Sequence, residues 1–166
     1  MPQYALWQAG PGLSGMPPAA GRELLNVPHP GDTTSMESFV RGALGCTCPD
    51  EVFQSVRIRN PQTAFTGLSQ ASLIDIGGRL LVLVIETDHW ETLPARLATL
   101  LAQGRRLRDA EGFNRFRLVI ATPEVAAAQA ALTAQFTALA NRDERLHLHV
   151  LSPGQLPPRA PFSGRE

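Results

Sequence analysis

The chain of 166 residues contains no lysine, so that all 15 of its basic residues are arginine. This excludes a Schiff-base lysine, a phosphate-loop lysine and a lysine general base. The motifs HExxH and GxSxG are also absent, which leaves no zinc-protease or serine-hydrolase signature. Any chemistry must therefore come from other side chains.

The chain also lacks an excess of charge and a long apolar run. Fifteen acidic residues balance the arginines, so there is no general attraction to nucleic acid or to an anionic membrane. No stretch approaches the ~18 apolar residues of a membrane span, and the first ten residues lack the basic and apolar regions of a signal peptide. We therefore expect a cytoplasmic protein that binds neither nucleic acid nor membrane.

Glycine and proline, 14 of each, are concentrated at the two ends of the chain. Eleven lie within residues 1–33 and six within residues 152–166. This distribution predicts poorly ordered tails over 1–33 and 152–166 and one globular domain over 34–151. The aromatic residues Tyr4 and Trp7 leave open the alternative that the first tail docks on the domain.

The apolar patterns of the central segment predict an α/β fold of the mixed α+β kind. We expect a single mixed sheet of about five strands, with an antiparallel meander followed by two parallel βα units and helices packed on the sheet. The predicted strands are 55–60, 71–76, 79–87, 116–122 and 146–151, with a tight turn at Gly77 and Gly78. The predicted helices are 34–45, one along the leucines from 93 to 107, and one along 123–139.

The order helix, meander, helix, strand resembles the core of the PD-(D/E)xK nucleases. Asp75 and Glu86 are the only candidates for the acidic residues of that family, and Asp88 stands where its lysine belongs. The turn at Gly77-Gly78 places Asp75 opposite residues 79–81, so Glu86 lies roughly 17 Å further along the sheet. The resemblance covers topology only, and nuclease activity is excluded.

The two cysteines are the strongest candidates for function, and Cys46 and Cys48 are the predicted catalytic residues. In a cytoplasmic protein such a pair favours redox chemistry or metal binding over a disulfide framework. We expect Cys48 to cap a helix that begins at Pro49, where a thiolate is stabilised, with Cys46 resolving its oxidised form. Nearby carboxylates at residues 50 and 51 oppose this effect. The alternative is that both cysteines are small buried hydrophobes.

Three acidic or imidazole side chains follow the third strand: Glu86, Asp88 and His89. They could hold a divalent cation or act in acid–base catalysis, because ligands bind at the carboxyl ends of parallel strands. The favoured alternative is that Asp88 or Thr87 caps the next helix, with Glu91 completing the capping box.

His147 and His149 alternate along the last strand at a spacing that can chelate zinc or copper. The favoured alternative is a polar outer face on an edge strand. If the strands lie in sequence order, roughly 19 Å separates these histidines from Cys46 and Cys48, which prevents a shared site.

Five arginines cluster in the last turns of the leucine-rich helix and just beyond it, and the pattern predicts a solvated surface rather than a phosphate site: Arg105, Arg106, Arg108, Arg115 and Arg117.

The sequence thus favours a small thiol protein, a redox relay or metal carrier, that acts through residues 46–49. The alternative is a non-catalytic interaction module or accessory subunit. We expect another protein as the partner. The sequence requires no cofactor, although zinc or another transition metal fits the metal-carrier hypothesis. It does not decide whether the protein is an enzyme.

Overall fold

The computed structural model describes residues 36–68 and 70–157. The predictions for residues 1–33 and 158–166, with Tyr4 and Trp7, lie outside the described residues, as does the predicted cap at position 34. Residues 152–157 are described. They include a short 3-10 helix at Pro153–Gln155, and Leu156 packs against the core.

The predicted α/β fold is confirmed, with one five-stranded mixed sheet in the order β1-β2-β3-β4-β5. Strands β1 to β3 pair antiparallel, whereas β3, β4 and β5 are parallel. The strands are β1 Val56–Arg59, β2 Ala71–Ile76, β3 Leu80–Glu86, β4 Arg115–Ala121 and β5 Leu146–Leu151. The two α-helices are α1 Pro94–Glu111 and α2 Val125–Ala140.

The β2–β3 hairpin turns at Gly77 and Gly78, whose φ angles of 62° and 65° lie in the left-handed region. A side chain at Gly77 would also place its Cβ 2.6 Å from the Cα of Val52, so only glycine fits. The turn sets the register, in which Asp75 lies opposite Leu81. Glu86 is five residues beyond Leu81 on β3, as the sequence predicted.

Both α-helices cover one face of the sheet, because β3-α1-β4 and β4-α2-β5 are crossovers of the same hand that advance in the same direction. Leu97, Leu100 and Leu101 of α1 are buried there with Ala128 and Leu132 of α2. These positions belong to the apolar stripes that the sequence predicted.

The opposite face is covered by the segment that precedes β1. Residues 36–38 are α-helical and continue as a π-helical turn, Phe39–Ala43, and a 3-10 helix follows at Asp50–Gln54. Phe39, Val40 and Phe53 are buried in a cluster with Val82 of β3 and Val119 of β4. Strands β3 and β4 are thereby buried on both faces. Within the described residues, no helix is long and apolar enough to cross a membrane.

Ion pairs connect the elements at the edges of the sheet. Arg59 of β1 pairs with Glu111 at the end of α1 through two hydrogen bonds of 2.8 and 3.2 Å. Arg108 bonds Asp109 at 2.8 Å and Asp143 at 3.0 Å. The prediction of a solvated surface is therefore wrong for Arg108, which is 3% exposed, because the loop after α2 folds over it.

Replacing Gly104 by alanine is expected to destabilise the fold. The added Cβ would lie 2.2 Å from the ring of Phe116, which is fully buried. Overpacking of this kind costs about 1–3 kcal/mol of unfolding free energy, to be measured by urea denaturation. Gly42→Ala is the matched control, since a Cβ added at Gly42 would have no atom within 4 Å. Equal stability of the two variants would contradict the packing of α1 on β4.

Candidate functional site at the cysteine loop

Cys46 and Cys48 form a disulfide, with their Cα atoms 5.4 Å apart. They are the only two cysteines of the chain, so in this state neither is a free thiol. Both residues are half-buried and pack against the cluster on the face opposite the α-helices. The predicted pair therefore comes together, as a two-sulfur bridge at the edge of the core.

The backbone on the amino-terminal side of the disulfide is set by Gly45. Its φ of 62° ends the preceding helical turn, and the N–H of Cys46 donates to the carbonyl of Val40 at 3.1 Å. This is a left-handed helix termination typical of glycine, and it lies at the end of the predicted helix 34–45.

On the carboxyl-terminal side, Arg41 holds the loop. Its guanidinium donates to the carbonyl of Cys48 at 3.1 Å, pairs with Asp50 and with Glu37, and lies 5.1 Å from the ring centre of Phe53. One side chain thus joins the helical turn before the disulfide to the 3-10 helix after it.

The expected capping role of Cys48 is wrong. The residue before the 3-10 helix is Pro49, in an extended conformation with ψ 155°, and the helix has only five residues, Asp50–Gln54. The N–H of Val52 donates to the carbonyl of Pro49 at 3.2 Å. Because Cys48 lies one residue outside the helix, the helix N-terminus does not account for a stabilised thiolate.

A cavity of about 200 Å³ opens beside the disulfide. It lies at the edge of the sheet where β3 and β4 begin. The N–H groups of Asn114 and Arg115 donate to the carbonyl of Arg79, at 2.7 and 3.3 Å, and hold these two chain segments side by side. The cavity is lined by residues 45–49 with Val52, Arg79, Leu80, Asn114 and Arg115.

Arg117 connects the cysteine loop to the last strand. Its Nη1 donates to the carbonyl of Leu44 at 2.6 Å and contacts Nε2 of His149 at 2.8 Å. Arginine cannot accept a hydrogen bond, so His149 accepts through Nε2 and carries its proton on Nδ1. Arg117 is 4% exposed, and no acidic side chain in the described part of the chain pairs with it. The prediction that it lies on a solvated surface is wrong.

Burial and neighbouring positive charge make protonation less favourable for Arg117, His147 and His149. Burial lowers the pKa of Arg117, and the charge of Arg115 acts in the same direction. Burial lowers the pKa of His149 to about 4, with further contributions from Arg117 and His147. Burial also lowers the pKa of His147, followed by the charges of Arg117 and Arg115. Both histidines are therefore neutral at pH 7.

The expectation that His147 and His149 form a polar outer face is also wrong. They are half-buried on the same face as the cysteine loop, since Arg117 and His147 are register partners on adjacent parallel strands. The strand order is the simple one, but the loop crosses the sheet and lies beside β3 and β4 rather than β1. The expected separation of four strands therefore does not apply.

The residues proposed for the carboxyl edge lie at the other end of the parallel strands. Asp88 and His89 are exposed and Glu86 is half-buried. Neither Asp88 nor Thr87 caps α1, whose N-cap is Leu93 without a side-chain hydrogen bond, because a 3-10 helix at Trp90–Thr92 intervenes. Thr87 instead accepts from the N–H of His89 at 2.9 Å.

The candidate metal ligands do not come together in the described residues. No group of three or more His, Cys, Asp or Glu side chains among residues 36–68 and 70–157 has the geometry to hold a metal ion. The candidates remain three separate groups. The first is Cys46 and Cys48, the second is Glu86, Asp88 and His89, and the third is His147 and His149.

Three neighbours of the cysteines were not predicted from the sequence: Arg41, Arg79 and Asn114. A signal existed for Arg41, which stands four residues after Glu37 and pairs with it at 2.9 Å. Arg79 and Asn114 carried no signal, because each is a turn residue whose position depends on the pairing of β3 with β4.

Comparison with models of known protein families gave no match, and comparisons with curated proteins and with solved structures gave none either.

Thr87→Val is expected to cost more stability than Asp88→Ala. The first removes the acceptor of the His89 N–H, a loss of about 0.5–1.5 kcal/mol. The second removes an exposed side chain that caps nothing, with an effect within about 0.5 kcal/mol. Urea denaturation measures the unfolding free energy of both variants. A larger loss of unfolding free energy for Asp88→Ala would indicate that Asp88 does cap the helix.

The depressed pKa of His149 makes the fold less stable in acid. The unfolded chain binds a proton at this histidine near pH 6.5, whereas the folded chain does so only near pH 4. Its contribution is therefore complete above pH 6.5 and is lost as the pH falls toward 4, by about 2–3 kcal/mol.

In His149→Gln, whose amide oxygen can still accept from Arg117, the loss of unfolding free energy between pH 7 and pH 4 should be smaller by that amount. Urea denaturation at several pH values measures it. His89→Gln is the control, since His89 is exposed. If His149→Gln and the wild-type protein show the same pH dependence, the assigned protonation of His149 is wrong.

Proposed function

We propose that this protein is a thiol–disulfide redox relay that acts through Cys46 and Cys48. The observation that carries the proposal is the disulfide between the only two cysteines, placed beside a cavity rather than deep in the core. Thiol–disulfide exchange requires access of an attacking thiolate to one of the two sulfur atoms, and the open cavity supplies it.

The size of the ring supports a redox role over a structural one. The bridge joins residues two apart in sequence, and the stabilisation that a disulfide gives grows with the length of the loop it closes. For so short a loop the chain-entropy contribution is under about 2 kcal/mol. The hydrogen bonds that Arg41 and Arg117 donate to this loop go to the backbone carbonyls of Cys48 and Leu44, so they do not involve the sulfur–sulfur bond.

A redox relay fits these residues better than a metal carrier. In the disulfide neither sulfur is a thiolate, which is the form that binds metal. After reduction, two thiolates leave a zinc site short of its usual four ligands. A pair that is alternately reduced and reoxidised suits a reducing compartment, so we place the protein in the cytoplasm with another protein as its redox partner.

Intact mass spectrometry with alkylation tests the proposal. The protein as isolated without reductant should take up no iodoacetamide, and after reduction it should take up two equivalents while remaining folded. Its midpoint potential in a glutathione titration should lie above about −300 mV, since structural disulfides lie below that value. The Cys46→Ser and Cys48→Ser variants should show no such titration.

Two results would overturn the proposal. If reduction unfolds the protein, the disulfide is structural. If no reductant reaches the pair in the folded protein, the sulfur atoms are inert, and the interaction-module hypothesis takes its place. Ile58 favours that second hypothesis, since at 38% exposure it is the exposed large hydrophobic residue of the described chain and lies on the edge strand β1.

A further inference from the structure

The cavity beside the disulfide carries positive charge without a compensating acid. None of the described residues that line it is acidic, and two of them, Arg79 and Arg115, are exposed arginines. Neither makes an ion pair with another described residue. The two acids nearest in sequence, Asp50 and Glu51, do not line the cavity, and Asp50 is paired with Arg41. The approach to the sulfur atoms is therefore electropositive.

Arg117 adds to this positive charge, and backbone hydrogen bonds fix the positions of the two exposed arginines. Arg117 stands two residues after Arg115 on the same face of β4 and is buried with no acidic partner in the described part of the chain. The backbone hydrogen bonds from residues 114 and 115 to the carbonyl of Arg79 keep both arginines at one rim. The rim also carries Asn114, whose amide can donate to an oxygen atom.

The volume limits what can enter. Pockets for drug-sized ligands measure about 300–1,000 Å³, and this one is near 200 Å³. It suits a group of the size of a single amino acid, with any larger part of the molecule outside.

We propose that this cleft takes a small thiol that bears a carboxylate, which the arginines at positions 79 and 115 hold while its sulfur reacts with the Cys46–Cys48 disulfide. The inference rests on the proposed redox function and names its reductant.

The exchange balances in two steps. The thiolate of the small molecule attacks one cysteine sulfur, forms a mixed disulfide and releases the other cysteine as a thiolate. A second small thiolate then attacks the small-molecule sulfur of that mixed disulfide and releases the remaining cysteine. Two small thiols give up two electrons and two protons, and the products are one small-molecule disulfide and two cysteine thiols.

Three thiols of similar size and different charge test the inference on the full chain. They are 3-mercaptopropionate, 2-mercaptoethanol and cysteamine, which are anionic, neutral and cationic. The rate constant per thiolate is measured by acid quenching and mass spectrometry. It is divided by the rate constant of the same thiolate with a small uncharged disulfide, because the intrinsic nucleophilicity of a thiolate falls as its pKa falls. We expect the anionic thiol to react about tenfold faster than the neutral one, because a charged cleft raises encounter rates, and cysteamine to be the slowest.

Arginine variants test whether the preference for the anionic thiol arises in the cleft. Arg79→Gln and Arg115→Gln should each reduce the preference about threefold, and the double variant should abolish it, as should about 1 M salt. Arg106→Gln is the matched control, an exposed arginine on α1, which covers the other face of the sheet; it should keep the full preference.

The possible outcomes distinguish failure of the anionic-thiol site from failure of the proposed redox function. If all three thiols reduce the pair at equal rates, or if the double variant keeps the preference, the anionic-thiol site is refuted and the redox function stands. If neither these thiols nor dithiothreitol reduces the pair in the folded protein, the redox function fails and the inference fails with it.

Discussion

Strands β3 and β4 bury side chains on both faces, and both faces must therefore be covered by other parts of the chain. Helices α1 and α2 cover one face, as the right-handed crossovers require. The segment from residue 36 to residue 54 covers the other. Because that segment must reach Val82 and Val119 at the centre of the sheet, its cysteine loop is brought to the edge where β3 and β4 begin. The location of the disulfide is thus a consequence of covering the second face.

The cover on that face is not purely apolar, and Arg117 is the reason. Removing an arginine from water costs several kcal/mol unless hydrogen bonds compensate. Here one nitrogen donates both to the Leu44 carbonyl and to His149. The same contacts join the cysteine loop, β4 and β5, so that the buried cation orders three parts of the chain. The neutral state of His149 follows from its burial and from the nearby charge of Arg117, and only the neutral ring can accept from that guanidinium.

The two rims of the sheet, one where the parallel strands begin and the other where they end, differ in charge. Where the parallel strands begin, the disulfide lies near arginines, and none of the described residues that line the cavity is acidic. Where the strands end, Glu86 is the last residue of β3 and Asp88 follows it, and the indole N–H of Trp90 donates to Glu124 at 3.1 Å. In many parallel α/β folds the ligand lies at the carboxyl ends of the strands. The antiparallel β1–β2–β3 meander lets the preceding segment place the cysteine pair at the opposite rim.

The sequence by itself determined the features that depend on neighbours along the chain. The alternation and apolar runs predicted all five strands and both α-helices. Gly77 and Gly78 determined the hairpin register, and Gly45 determined the end of the helical turn before the cysteines, because left-handed conformations favour glycine. Local pattern was also enough to bring Cys46 and Cys48 into the same loop.

Only the tertiary structure decided what surrounds that loop. Arg117 and His149 are polar residues that the sequence places on the outside, yet Arg117 is buried and His149 is half-buried because a segment from more than 60 residues earlier in the chain folds over them. Cys48 does not occupy the expected capping position, because the short 3-10 helix after it has Pro49 as its N-cap. Burial, ion pairing and access to the sulfur atoms depend on contacts between distant segments, and local periodicity contains no information about which distant segments meet.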